Sequence, residues 1–415
     1  MAETLAIAIV ILLLGAAVKK KAPILEKFFI PGPVIGGVIF SIILLIGHET
    51  GAFSFAFDGV LKDFLMIAFY TTVGYLASFE LLKKGGIGVV LFLLAAIILV
   101  VIQNSVGVSL AKIFGLHPYI GLAAGSVPLT GGHGTSGAFG PLMEQGGAVG
   151  AMSVAMASAT FGLVSGCLIG GPIAKRLIDR FGLVAKKDEK PHQTKREIDN
   201  EVFEGDLDVF EEKVSEESLF KAVVAIGLAM GCGAWIPPFA KSLGVAIPVY
   251  LGPMLVAAIF RNVMDMSKKK LPLTEISMLG NIALSIFLAM ALMSMKLWEL
   301  AALALPLIVI LLVQTVIMAI YAYFVTFNIM GRDYDAAVIA CGHCGFGMGA
   351  TPNAMANMEA FTKANGPSVK AFFVIPLVGS LFIDFFNAVI ITFFMNMFTV
   401  SYTHLRAHET DSYLV

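Results

Sequence analysis

The chain is a succession of apolar runs close to twenty residues long, separated by short polar breaks. In a bilayer the backbone must satisfy its own hydrogen bonds, and about twenty apolar residues of helix cross the hydrocarbon core. Such runs lie near 4–20, 30–47, 63–82, 87–114 and 148–174, then near 219–240, 247–264, 276–296, 301–329 and 369–399. The expected fold is an all-α integral membrane protein with ten transmembrane helices. Composition agrees. Of 415 residues, 58% are apolar and 14% charged, against about 45–50% and 25% in soluble domains. An ordinary cytosolic enzyme and a disordered chain are both excluded. The first run, Thr4–Val18, is followed by Lys19, Lys20 and Lys21 rather than preceded by a basic region, so it reads as a retained span and not a signal peptide.

The ten runs fall into two sets of five, and landmarks recur between the sets. Ile30-Pro31 is echoed by Ile247-Pro248, Gln103 by Gln314, Gly132-His133 by Gly342-His343, and Glu144 by Glu359. The offsets are 217, 211, 210 and 215 residues, close enough to constant to indicate an internal repeat. Five spans per half turn the second half upside down relative to the first. Charge tests this. With the N-terminus outside, 23 of the 28 Lys and Arg residues fall on the inner side and 5 on the outer side, as the positive-inside rule requires. Both termini then lie on the outer side of the membrane.

The expected organisation is a first inverted repeat over 1–178, a charged cytoplasmic linker over 179–218, a second repeat over 219–400 and a polar tail over 401–415. The stretch Lys175–Lys221 holds 23 of the 57 charged residues and reads as a solvated linker. The tail reads as disordered or as foreign to the fold. The net charge of −1 offers no electrostatic footprint for nucleic acid. Four cysteines in apolar or Gly-rich surroundings do not form an extracellular disulfide framework.

Between the fourth and fifth runs of each half lies a segment too rich in glycine for a plain helix: 118–146 and 335–362. Broken backbone at membrane depth survives only when buried in protein or facing a wet cavity. Transporters use such breaks: half-helix N-termini face anions, while free carbonyls face a cation such as sodium. Re-entrant loops in inverted halves would enter from opposite sides and meet near the midplane. The expected substrate-binding residues are Gly131, Gly132, Gly134, Thr135, Ser136, Gly345, Gly347, Thr351, Asn353 and Asp384. The expected sodium-binding residues are Thr130, Gly131, Gly345, Asp384 and Asn387. Asp384 stands out because an ionisable group deep in a span is costly and is a functional hypothesis by default; it suits sodium or an ammonium group.

Other residues read more simply. Gly162, Gly166, Gly170 and Gly171 suit close helix packing. Gln103, Asn104, Gln314, Asn281 and, as the alternative to its sodium role, Asn387 join helices. His133 and His343 fix loop backbone through hydrogen bonds, and Cys341, His343 and Cys344 lack the paired spacing of a zinc site. No metal beyond sodium, no cofactor and no catalytic residue is expected.

At these segments the sequence resembles the bacterial sodium/glutamate symporter family. The resemblance rests on Leu129-Thr130-Gly131-Gly132-His133-Gly134-Thr135, Ala159-Thr160-Phe161-Gly162-Leu163-Val164, Leu288-Ala289-Met290-Ala291-Leu292-Met293, Lys296-Leu297-Trp298-Glu299-Leu300, Tyr334-Asp335-Ala336-Ala337-Val338 and Gly342-His343-Cys344-Gly345-Phe346-Gly347 with Gly349-Ala350-Thr351-Pro352. It covers nearly all of 1–400. It implies a ten-span inverted-repeat fold, a homodimer in the lipid bilayer, sodium-driven uptake of L-glutamate and elevator-like motion of a core against a scaffold. Alternatives from the residues are a sodium- or proton-coupled symporter for aspartate or a dicarboxylate, a passive channel, and an intramembrane enzyme using Cys344 and His343.

Overall fold

The computed structural model describes residues 1–185 and 214–411, apart from 28–29, 54, 56, 85, 243–246 and 302. Most of the charged linker, 186–213, therefore lies outside the described residues. The described residues are helical, without strands. The first half runs α1 (Ala2–Lys21), α2 (Gly32–Thr50), α3 (Val60–Leu76) and α4 (Gly86–Ile113). A hairpin of α5 (Pro118–Ala123), α6 (Ser126–Leu129) and α7 (Gly132–Gln145) follows, then α8 (Ala151–Phe181). The second half runs α9 (Glu216–Gly233), α10 (Leu251–Met266), α11 (Leu273–Leu292) and α12 (Ala304–Tyr321). Its hairpin is α13 (Tyr334–Gly347) and α14 (Thr351–Asn365), followed by α15 (Val369–Leu381) and α16 (Ile383–Asp411).

Among the described residues, seven helices, or eight counting the bent pair α15–α16, are long and apolar enough to cross a membrane. The expected third and seventh spans appear as α3 and α10, of 17 and 16 residues, at the lower edge of what spans a bilayer. The expected run 63–82 ends early: α3 stops at Leu76, and a short helix, Phe79–Lys84, follows. The run 219–240 likewise breaks after Gly233, where Pro237 and Pro238 fit the first turn of a new short helix, Ile236–Ser242.

One correction matters for the site. The final run was expected as one span over 369–399. Instead α15 and α16 meet at a 45° bend around Phe382. The bend sets Asp384 in the first turn of a half-helix, where the helix dipole favours a carboxylate. The backbone of α16 continues to Asp411, past the apolar-to-polar break at Ser401.

Packing sorts the helices into two groups. In one, α1 packs on α2, α11 on α2 and α3, and α10 on α3 and α9. Glycines allow the closest of these approaches: a Cβ on Gly36 would stand 2.0 Å from the Ile11 carbonyl oxygen. In the other group α8 is central, touching α7, α12, α13 and α14, while α4 packs on α5, α12 and α16. Gly162, Gly166 and Gly170 face α13 and α14 from α8. A Cβ on Gly162 would lie 2.1 Å from the Met348 carbonyl oxygen, so the small-residue stripe is packing, as its spacing suggests. Gly171 meets nothing within 4 Å. The largest apolar cluster includes Phe92, Leu122, Phe139 and Phe346 of this second group and continues into the first group through Tyr70, Met254 and Phe287.

Candidate functional site

A cavity of about 490 Å³ lies on the seam between the two groups, within the usual range for small-molecule sites. The second group contributes both hairpin tips: Thr130, Gly131, Gly132, His133 and Gly134 from the first, and Gly349, Ala350, Thr351 and Pro352 from the second. It also contributes Gly379, Ser380 and Asp384 from the α15–α16 bend. The first group closes the opposite wall with Phe69, Thr72, Val73 and Leu76 of α3 and Ser277, Gly280, Asn281, Leu284 and Leu288 of α11. The tips nearly touch, since a Cβ on Gly132 would sit 3.2 Å from the Gly349 carbonyl oxygen. Gly132 has φ +63°, a conformation that glycine adopts without cost.

Two helix N-termini open on this cavity. The first N–H groups of a helix have no partner inside it. In α7 these belong to Gly132, His133 and Gly134; in α14 the first is that of Thr351, and Ala350 caps it with extended backbone and no side-chain cap. Asp384 faces the same space and has no hydrogen bond or ion pair among the described residues. No Lys or Arg lines the cavity. The arrangement presents two positive backbone ends, one carboxylate and one hydroxyl at each tip.

A buried polar network holds the tips in place. The Asn104 side chain accepts from the Ser126 N–H at 3.0 Å. The Ser126 hydroxyl donates to Asn387 Oδ1 at 2.7 Å, and Asn387 Nδ2 donates to the Ser126 carbonyl at 3.2 Å. The Thr130 hydroxyl donates to Gln103 Oε1 at 2.8 Å, and Gln103 Nε2 donates to the Gly347 carbonyl at 2.7 Å. The second hairpin is held from α8 by Asn353 Nδ2 on the Leu163 carbonyl at 2.9 Å and Asn357 Nδ2 on the Gly166 carbonyl at 2.9 Å. At its start the Asp333 side chain caps α13, accepting from the Ala336 N–H at 2.8 Å.

The comparisons with known proteins address the same chain. A family model described as sodium/glutamate symporter matches residues 1–367. The sodium/glutamate symporter of Haemophilus influenzae is 42% identical over 391 residues, covering 94% of this chain and 95% of that protein. That of Escherichia coli is 41% identical over 396 residues, covering 94% and 96%. The chain belongs to the sodium/glutamate symporter family. Family membership makes it a multi-pass transporter and not an enzyme, in line with its run of apolar helices.

For this symporter chain the cavity sorts the expected residues. Thr130, Gly131, Gly132, Gly134, Thr351 and Asp384 line it. Thr135, Ser136, Gly345, Gly347, Asn353 and Asn387 do not. Thr135 Oγ1 accepts from the Tyr70 hydroxyl at 3.3 Å. Ser136 donates to the Gly132 carbonyl at 2.8 Å, bracing the first turn of α7. Gly345 lets α14 approach, a Cβ there lying 2.6 Å from the Ala354 nitrogen. Gly347, Asn353 and Asn387 serve the network above. Residues one turn from a tip thus brace it and do not line the cavity.

Two smaller readings change. The histidines bond side chains of neighbouring spans rather than loop backbone: His133 Nε2 pairs with the Thr160 hydroxyl at 3.0 Å, and His343 Nδ1 with the Thr326 hydroxyl at 2.8 Å. Thr326 sits in a π-helical turn, Ala322–Thr326, that interrupts the fourth span of the second half. Asn281, read as a helix joiner, lines the cavity instead. Sequence reasoning missed the first group's wall altogether. Its polar members, Thr72, Ser277 and Asn281, are common residues in uninterrupted apolar helices and carry no motif.

Proposed function

We propose that the chain is a secondary active transporter that couples sodium entry to L-glutamate uptake across a bacterial inner membrane. One observation carries this reading. The cavity offers two helix N-termini and one unpaired carboxylate, and glutamate carries two carboxylates and one ammonium group. The N–H groups of Gly132 to Gly134 hold one carboxylate, and the N–H and hydroxyl of Thr351 hold the other. Asp384 holds the ammonium group. Thr130 and the carbonyls at the tips face sodium. With no fixed cation at the site, sodium also balances the substrate's charge.

The ten spans are completed by α3 and α10, in two inverted halves with re-entrant hairpins at 118–146 and 335–362 and a cytoplasmic linker at 179–218. Both termini are periplasmic, and the protein is a homodimer. Alternating access is of the elevator type: the second group moves as a core past the first as a scaffold. The placement of the cavity on their seam supports this. Its lining comes from the C-terminal half of α3 and the N-terminal and middle parts of α11, which this topology puts toward the cytoplasm, so the conformation is inward-facing.

The test is uptake into vesicles holding the purified protein. Labelled glutamate accumulates only under an inward sodium gradient. Uptake that ignores sodium ends the coupling claim. Equal competition by unlabelled aspartate or a dicarboxylate makes glutamate the wrong substrate, and flux that never exceeds equilibrium makes the protein a channel.

A further inference from the structure

Gln103 sits in the middle of α4, is 1% exposed, and does not line the cavity. Its neighbours fix which way its amide points. The Gly347 carbonyl, at the C-terminal end of α13, can only accept a hydrogen bond, so the amide NH₂ must face it. The 2.7 Å contact is that bond. The amide oxygen then faces Thr130 at 2.8 Å, and it too can only accept. Thr130 must therefore donate. A hydroxyl has one proton, and here that proton is spent on Gln103. What Thr130 turns to the cavity is an oxygen with lone pairs and no hydrogen.

The backbone of Gln103 is fixed as well. Gln314 Nε2 donates to the Gln103 carbonyl at 2.7 Å, so α12 pins α4 at this position. Without the amide, the Thr130 hydroxyl would rotate freely and could aim its proton at the ligand.

We propose that Gln103 is a positioning residue for the co-transported sodium ion: through the chain Gly347 carbonyl, Gln103 amide and Thr130 hydroxyl, it makes Thr130 an oxygen-only ligand for the cation. The same amide ties the tip of the first hairpin to the helix end of the second. Neither the composition of the tips nor the spacing of the repeat requires this. It rests on the sodium-coupled reading above, and it assigns Gln103 a function in place of simple helix joining.

The experiment separates the two claims. Sodium binding is read without transport, as the rise in melting temperature of purified protein across a sodium titration, and again as the sodium concentration giving half-maximal glutamate uptake. Gln103→Met keeps the length of the side chain and removes both hydrogen bonds. Thr130→Val keeps the shape and removes the hydroxyl. Each raises half-saturating sodium roughly tenfold or more, with a smaller change in glutamate KM at saturating sodium. The double variant is no weaker for sodium than the worse single one, because both remove the same ligand. Thr130→Ser recovers most of the sodium response. Wild-type sodium response in both single variants overturns the inference while leaving sodium coupling intact. So do additive losses in the double variant, or equal losses for sodium and glutamate in Gln103→Met, which mark a merely structural amide. Absence of any sodium response in the unaltered protein overturns the parent reading instead.

Discussion

The two hairpins share their landmarks but are stabilised by different physics. In the second, the entering limb α13 is one continuous helix whose 14 residues are all buried, and α8 holds the returning limb through Asn353 and Asn357. The first enters through two short helices of six and four residues, too short to be stable alone. It depends on side chains reaching in from elsewhere: Asn104, Asn387 and Gln103. A repeat in sequence therefore does not give a repeat in energetics. Both tips are packed and hydrogen-bonded, but one stands on a continuous buried helix and the other on two short helices braced by side chains of α4 and α16.

Substitutions can break this contrast in order of expected effect. Asp384 lines the cavity between both tips, so Asp384→Asn should lower glutamate uptake by at least about a hundredfold; unchanged affinity for glutamate and sodium would remove it from the site. Next is Gly162→Val, aimed at the second hairpin, where a Cβ would stand 2.1 Å from the Met348 carbonyl oxygen. Overpacking there costs about 1–3 kcal/mol, seen as a lower melting temperature, while Gly171→Ala, in open space, leaves melting unchanged.

Asn387→Leu is aimed at the first hairpin. It leaves the Ser126 hydroxyl and carbonyl without their partner, at a cost of about 1–3 kcal/mol. Hydrogen exchange should rise over 118–130 and stay as it was over 334–365; a rise in both would show that the hairpins are one cooperative unit. The smallest effect belongs to the thiols. The Cys341 thiol donates weakly to the Asn357 carbonyl at 3.5 Å, and the first hairpin has no thiol. Cys341→Ser and Cys344→Ser should each keep uptake within about threefold, since a hydroxyl fills a similar space and finds a nearby carbonyl. Loss of uptake would make the thiols a functional difference between the tips.

Much of the fold is legible in the sequence because hydrocarbon imposes so strong a constraint. The span expected at 87–114 is α4, Gly86–Ile113, and both Gly-rich breaks are hairpins. The bend at Phe382 is not legible. Its surroundings, Gly379-Ser380-Leu381-Phe382-Ile383, are mostly apolar, and Pro376 lies a turn and a half upstream. Of the residues expected at the site, those at the tips line the cavity and those one turn away do not. Gly131 and Thr351 face the cavity, whereas Ser136 and Asn353 turn their polar atoms into the hairpin supports. Helical rotation about a break of unknown angle decides which face a residue presents, and residue type does not record that angle.

The lack of lysine and arginine around the cavity has an electrical side. If the core moves as proposed with Asp384 ionised, its empty site carries a negative charge. An inside-negative membrane repels that charge outward, by about 2.3 kcal/mol per charge for each 100 mV crossed. Under that proposal the potential acts on the unloaded return as well as on the entry of sodium.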